Sequence, residues 1–357
     1  MSVKETIMHQ LVRIGMDTSK KVFQLHGVDA EERVALSRKL SRHQMIRFFE
    51  KLPPTVIGIE ACGASHHWAR TLGALGHEVR LMAPQLVKPY VRRSKNDAAD
   101  AEALCEAMSR PTMRFVPVKT VEQQAALMLV GMRERLVGRR TQLANSIRGY
   151  AAEFGLTAPL GLSRVEPFLR QIASEDILPS LAREMFAQMA EEYGALMEHI
   201  RELDEKLATW HRSQEVSRRL SGIPGIGPLG AALLLMKAPD PHLFRSGRDF
   251  AAWIGLTPRD HSSGGKVRHG GITRAGDSRL RSTLVVGATT VLRHVRQNKQ
   301  SRLATPWLVS LLGRKKAKLA AVALANRIAR IAWKLMTSGE TYRKPVAVDA
   351  MTAATAS

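Results

Sequence analysis

The tightest constraint on this chain lies in its first hundred residues. There, two apolar runs each end in an acid, and a helix start supplies two more acids. Leu11-Val12-Arg13-Ile14-Gly15-Met16-Asp17 reads as a β-strand closed by Asp17. After a tight Thr18-Ser19-Lys20 turn, Lys21 to Val28 alternates through Val22, Phe23, Leu25 and Val28, and Glu32 to Leu40 reads as the third strand of a meander. Ser41 to Leu52 reads as a helix closed by Pro53-Pro54. Thr55-Val56-Ile57-Gly58-Ile59-Glu60 is a buried-type strand that again ends in an acid. A helix over Ala64 to Leu75 stops at Gly76, Glu78 to Met82 is a short strand, and Asp97 to Met108 is helical. That last helix opens in Lys95-Asn96-Asp97-Ala98-Ala99-Asp100-Ala101, with Asn96 as its N-cap and Asp97 and Asp100 on one face.

Alone, two acids in a first turn are what the helix dipole favours. The order of elements changes their meaning. Three strands, a helix, then alternating strand and helix is the order of an RNase H-like core, where acids gather at one end of the sheet. Asp17, Glu60, Asp97 and Asp100 take those places. Four converging carboxylates stay ionised only beside cations, and an oxygen-only donor set suits Mg²⁺ or Mn²⁺. Paired ions would activate and orient phosphodiester oxygens.

At 357 residues the chain has room for two or three domains, and 45% hydrophobic content supports real cores. Its net charge of +22 points to a polyanion, nucleic acid ahead of a membrane surface. The excess is localised: Arg245 to Lys344 holds 21 Lys/Arg against four acids. Cys62 and Cys105 lack metal-ligand spacing, which argues against a zinc site and for a reducing compartment. Met1 to Gln10 has no apolar core of a signal peptide, and no apolar run reaches membrane-spanning length. A cytoplasmic protein is expected.

Val121 to Tyr150 reads as one long helix and Leu181 to Arg212 as another, with a breaker at Gly155 to Gly161. Leu196, Ile200, Leu203, Leu207 and Trp210 step by heptad spacing. An antiparallel helical arm follows, its seam serving either core packing or, as expected here, assembly. Leu220-Ser221-Gly222-Ile223-Pro224-Gly225-Ile226-Gly227-Pro228 resembles a helix-hairpin-helix turn, in which Gly225 and Gly227 would let backbone N–H groups approach a phosphate. Leu256 to Gly271 is glycine-rich and basic and cannot be a long helix. It reads either as a loop gripping phosphates through Arg259, Lys266 and Arg268 or as a serine nucleophile flanked by those cations. Arg279 and Arg281 open the next helix, and Lys315, Lys316 and Lys318 lie where the last long helix is expected to begin. All five are candidate phosphate contacts. The tail after Lys344 is expected to be disordered.

Taken together, Ile14 to Lys20, Ile59-Glu60-Ala61-Cys62-Gly63, Lys95 to Ala101, Ile223-Pro224-Gly225-Ile226-Gly227, Gly255-Leu256-Thr257-Pro258-Arg259 and the Ser263-Gly264 loop resemble the DEDD transposases of bacterial insertion sequences. The resemblance is to the insertion-sequence-110 family, including its 1111 subgroup, over roughly Val12 to Tyr342. It implies an RNA-guided recombinase that excises and inserts its element, with a structured non-coding (bridge) RNA pairing to donor and target DNA. It implies a RuvC-like domain over 1–118 with Asp17, Glu60, Asp97 and Asp100 binding Mg²⁺. A helical coiled-coil arm over 119–215 follows, then a mainly helical transposase domain over 216–345 and a disordered tail over 346–357. It implies Ser263 as a nucleophile giving a phosphoserine-linked DNA end, with Ser262 as the alternative, and assembly of dimers into tetramers. Location would be the bacterial cytoplasm, on the nucleoid when DNA is bound.

Three rival readings make other predictions. A RuvC-like Mg²⁺ nuclease or junction resolvase would form no covalent intermediate. A non-catalytic nucleic-acid binder would tolerate loss of Asp17 or Asp97. An actin-like sugar kinase, suggested by Ile14-Gly15-Met16-Asp17-Thr18, leaves the basic C-terminal third unexplained.

Overall fold

A computed structural model describes residues 11–91, 96–266, 268–298 and 300–343. The chain divides into two compact units, Met1–Val121 and Glu122–Ser357, so the helices read as an arm belong to the same unit as the C-terminal segment. Lys95 of the Asp97 motif and the tail over 346–357 lie outside the described residues.

The first unit is built on a six-stranded sheet: β1 (Arg13–Thr18), β2 (Val22–Val28), β3 (Val34–Ser41), β4 (Val56–Glu60), β5 (Glu78–Met82) and β6 (Phe115–Val116). Its order is β3-β2-β1-β4-β5-β6. β1 pairs antiparallel with β2 and β2 with β3, as the meander requires, while β1–β4 and β4–β5 are parallel. The alternation has a direct physical result. Ile14 and Met16 on β1, and Ile57 and Ile59 on β4, point to one face and are wholly buried with Phe23, Trp68 and Leu72. Each such side chain contributes about 1.5–3 kcal/mol by leaving water. Among the described residues this unit has the helices α1 (Met45–Phe49), α2 (Ser65–Ala74), α3 (Pro84–Val87) and α4 (Asp97–Ala107). α4 covers the opposite face, where Gly15 and Gly58 lie.

The second unit is mainly helical. α5 (Val121–Glu153) and α7 (Ser180–Ser213) are long, and α6 (Val165–Ala173) lies between them in sequence. Arg133 pairs with Asp204 and Arg139 with Glu192, so α5 and α7 run antiparallel. The expected seam is spent inside this unit. Leu196 and Ile200 pack with Leu143, Ile147 and Phe168, while Leu207 joins the C-terminal core. Most of that stripe is buried within the unit against α5, α6 and the C-terminal helices, and only Leu203 and Trp210 remain partly exposed.

Then follow α8 (Glu215–Ser221), α9 (Pro228–Lys237), α10 (Gly247–Trp253), β7 (Pro258–Asp260), β8 (His269–Ile272), α11 (Ser278–Gln297), α12 (Pro306–Arg314) and α13 (Ala317–Ser338). Two sequence readings change here. Leu256 to Gly271 contains an antiparallel hairpin rather than a plain loop. The last basic run also does not open a single helix. α12 ends at Arg314, Lys315 is extended, and α13 starts only after Lys316.

Candidate active site

Asp17 lies near the end of β1 and Glu60 is the last residue of β4. The parallel register pairs Met16 with Ile59, so the two acids stand one step beyond, side by side at the carboxyl end of the sheet. Beside them, Thr18 Oγ1 and Cys62 Sγ approach to 3.2 Å. Asp97 and Asp100 reach the same place by packing. Gly15 offers no side chain on the α4 face, and the helix backbone sits so close that a Cβ there would lie 2.1 Å from the Ala101 carbonyl oxygen. The Arg13 guanidinium, held by Glu32, donates through Nε to the Cys105 carbonyl at 3.1 Å. With Cys105 over Arg13 and Ala101 over Gly15, α4 runs antiparallel to β1, and its first turn falls beside Asp17.

Asn96 caps that turn, its side chain accepting the Ala99 N–H at 2.8 Å. Asp97 is exposed and Asp100 half-buried. The Asp17 carboxyl is pushed above the ordinary carboxylate range, first by burial and then by the charges of Asp100, Asp97 and Glu60. All four acids therefore share one electrostatic field. Among the described residues no three or more His, Cys, Asp or Glu side chains are closed into a ready coordination shell.

The serine region is equally well defined. β7 and β8 pair through Pro258–Ile272 and Asp260–His269, and Ser263 bridges Lys266 at the tip. Gly264 and Gly265 both have positive φ, at 55° and 76°, which a two-residue reverse turn of this hand demands. The hairpin root is pinned where Gly255 and Gly276 meet neighbouring main chain, so closely that a Cβ at Gly276 would lie 2.1 Å from the Trp253 carbonyl oxygen.

The two serines differ. Ser262 donates its N–H to Asp260 Oδ1 at 2.9 Å, its hydroxyl donates to the same oxygen, and that hydroxyl accepts the Arg268 N–H at 3.1 Å. These donations hold the Asp260 carboxyl below its ordinary value. Ser263 is exposed at the tip, and among the described residues its hydroxyl makes no hydrogen bond.

Residues 14–154 match the DEDD transposase model of the IS110 group, and residues 217–304 match the Transposase IS116/IS110/IS902 family. The chain is 66% identical over 337 residues to the Sinorhizobium fredii protein y4pF/y4sB, named as a transposase, covering 94% of this chain and 87% of that one. It is 40% identical over 339 residues to the transposase for insertion sequence element IS1111A of Coxiella burnetii, covering 94% and 92%. It is also 37% identical over 337 residues to the transposase for IS1328 of Yersinia enterocolitica, covering 94% and 100%. The chain belongs to the IS110 family of transposases. It is accordingly an enzyme that cleaves and recombines DNA, and its DEDD domain has the RNase H-like fold.

The transposase's basic candidates fall into two groups. Arg259, Lys266 and Arg268 are exposed along the serine hairpin, and Lys315, Lys316 and Lys318 are exposed at the α12–α13 break. By contrast, Arg279 pairs with Glu134. Arg281 donates to the carbonyls of Ile254 at 3.0 Å and Ala275 at 2.7 Å, stapling the two sides of the hairpin root together. Both bonds come from Nη1 to main chain, which gives Arg281 a positioning role that helix-start spacing did not reveal. Gly225 has a φ of 90° and packs its backbone on Gly287 of α11, whereas Gly227 faces open space at the N-cap of α9. The tight turn thus serves helix packing at Gly225 and leaves backbone approach to Gly227. Sequence reading also missed Asp260, whose signal was its place two residues before Ser262, an Asx-type spacing. No helix among the described residues is long and apolar enough to cross a membrane.

Proposed function

We propose that this transposase is an RNA-guided recombinase with two chemical centres, an acidic one that holds Mg²⁺ and a serine one that attacks DNA. The observation that carries the reading is the convergence of Asp17, Glu60, Asp97 and Asp100 into one field that raises the Asp17 carboxyl. Four mutually repelling carboxylates are relaxed by a divalent cation, and their oxygen-only donors fit Mg²⁺ or Mn²⁺. When bound, such an ion would polarise phosphodiester oxygens and neutralise developing charge.

Ser263 is the nucleophile in this reading. Its hydroxyl is unspent at the hairpin tip, whereas that of Ser262 is engaged by Asp260 and Arg268. Attack forms an Oγ–P bond and breaks a P–O bond to deoxyribose; the serine proton is lost and the departing sugar oxygen gains one. The phosphoserine ester keeps the bond energy for rejoining, so no nucleotide triphosphate is consumed. Arg259, Lys266 and Arg268 lie on the same hairpin and would stabilise the added negative charge. The basic C-terminal third provides surface for donor DNA, target DNA and the element's own non-coding RNA. The acids and the serine lie in different compact units, and in this reading one copy's hairpin serves another copy's acids in a homo-oligomer.

The test is a DNA substrate nicked so that rejoining fails. Denaturing gels should then trap a protein–DNA adduct with wild-type protein and with Ser262→Ala, and none with Ser263→Ala. Cleavage by Ser263→Ala without an adduct would instead establish water as the nucleophile.

A further inference from the structure

We infer that the cavity between α10 and α13 is a binding site for single-stranded nucleic acid, holding phosphates on its rim and an unpaired base against Trp307. This rests on the nucleic-acid reading above but concerns a site remote in sequence from both chemical centres. The cavity measures about 800 Å³ and contains no acidic residue in its lining. Its cations are Arg248, Arg327, Arg330 and Lys334, all exposed and, among the described residues, none of them ion-paired. Elsewhere in this unit Arg133, Arg139, Arg201, Lys237 and Arg279 all have carboxylate partners. Four unpaired cations around one concavity repel each other unless an anion enters.

The geometry suits a strand. Arg327, Arg330 and Lys334 lie at i, i+3 and i+7 on α13, one helical face about 10 Å long. Cations in a row along one helical face can follow successive phosphates of a strand laid beside it. Gly247 lets the start of α10 approach closely, since a Cβ there would lie 3.1 Å from the Arg330 carbonyl oxygen. Trp333 is committed to the wall, donating Nε1–H to the Pro241 carbonyl at 2.9 Å. Trp307 is half-buried against the core, and the Arg327 guanidinium lies over its ring, 4.4 Å from the centre, so an entering base takes the guanidinium's place on that face. A positively charged groove with an aromatic at its side is the recurring solution for single strands, because every base has a π-face. A duplex keeps its bases stacked on one another, so it has no free base face to lay on the Trp307 ring.

The experiment uses the full-length protein with fluorescently labelled twelve-residue oligo-dT and oligo-rU and a twelve-base-pair duplex, read by anisotropy across a salt series. Arg330→Gln/Lys334→Gln should weaken both single strands and lower the slope of log affinity against log salt by about 1.4, at about 0.7 per phosphate contact. Trp307→Ala should weaken them about 5- to 150-fold, the range for losing one stacked base. Because Trp307 also packs on the core, Trp307→Phe is the second variant: it should keep most of the affinity while losing part of the tryptophan quench that oligonucleotide produces in wild type. Equal loss for dT and rU marks the shared phosphate and base chemistry, and a larger loss for one identifies the occupant. Unchanged single-strand affinity and salt slope in the double Gln variant, or loss confined to the duplex, would overturn the inference while leaving the recombinase reading intact. A wild-type protein that binds no oligonucleotide and cuts no DNA would overturn both.

Discussion

Gly15→Ala should disable the acidic centre without unfolding the domain. The added Cβ would lie 2.1 Å from the Ala101 carbonyl oxygen, 2.5 Å from the Cys105 nitrogen and 3.0 Å from the Cys105 Cβ. The first two are backbone atoms of α4, so no side chain can swing aside. An ordinary contact needs the helix to retreat by about 1 Å, an overpacking that costs about 1–3 kcal/mol. Replacing a strand glycine returns about 0.5–1 kcal/mol of backbone entropy. The net loss of about 1–2 kcal/mol leaves the unit folded, with Tm lowered by about 5 °C. Asp100 precedes the displaced Ala101, and Asp17 follows Gly15 by two residues on the same face. The shift is therefore delivered to the separation of those carboxylates. On the proposed metal-holding role of these acids, a displacement near 1 Å costs about 100-fold in rate.

The assay is DNA strand cleavage by purified protein alongside thermal unfolding, with two controls. At Gly58 a Cβ meets Met108 Sδ at 2.8 Å, Met82 Cε at 2.9 Å and Met108 Cε at 3.3 Å, all in flexible side chains, so Gly58→Ala should cost less than tenfold. Gly138 in α5 has nothing within 4 Å, so Gly138→Ala should leave activity alone and stabilise by about 1 kcal/mol. If Gly15→Ala cleaves as well as Gly58→Ala, packing of α4 on β1 does not set the acid geometry.

Two further outcomes follow from other contacts. Gly287→Ala places a Cβ 1.8 Å from the Gly225 carbonyl oxygen, so it should cost about 2 kcal/mol net of the helix-propensity gain and lower the C-terminal unit's Tm by about 4–8 °C; an unchanged melt would refute the tight turn–α11 crossing. His66 is 7% exposed and held near pKa 4, below its ordinary 6.5, by burial and then by Lys119 and Arg70. Below pH 6.5 the unfolded chain takes up this proton while the folded chain does not, so stability should fall between pH 6.5 and 4 by up to about 3 kcal/mol. The gap in urea midpoint between wild type and His66→Asn should change across that window; a constant gap would show that His66 does not titrate there.

Much of the first unit was legible because its signals are local. Strand alternation, proline stops and the Asn96 cap act within a few residues, and they place β1, β4 and α4 to within two residues. Two misses were also local. Val165, Phe168, Leu169 and Ile172 follow helical spacing in α6, and Gly264-Gly265 is a hairpin turn pair. The remainder depends on partners far away in sequence. Nothing around Arg281 announces the Ile254 and Ala275 carbonyls, and nothing around Arg279 announces Glu134. Heptad spacing at Leu196 to Trp210 likewise reports a buried stripe without saying what buries it.

The acidic centre shows how a site can follow from packing rather than accompany it. Both strands carry the same three-residue phrase, Gly15-Met16-Asp17 and Gly58-Ile59-Glu60. In a pleated strand the first and third residues share a face. On β1 the glycine brings the α4 backbone against that face, and the acid two residues on comes to lie at the helix end, because α4 runs antiparallel to β1; on β4 the space at Gly58 is taken by the Met82 and Met108 side chains. That end is an N-terminus, whose free N–H groups and dipole temper the charge that Asp97 and Asp100 add. Reversing the helix would place carbonyl groups there, and inserting one residue between Gly15 and Asp17 would turn the acid to the opposite face, into the apolar core with Ile14 and Ile57. The carboxylates are thus held together at some electrostatic cost by constraints that act one turn away from them. Replacing an acid removes charge, whereas replacing Gly15 keeps every charge and moves it.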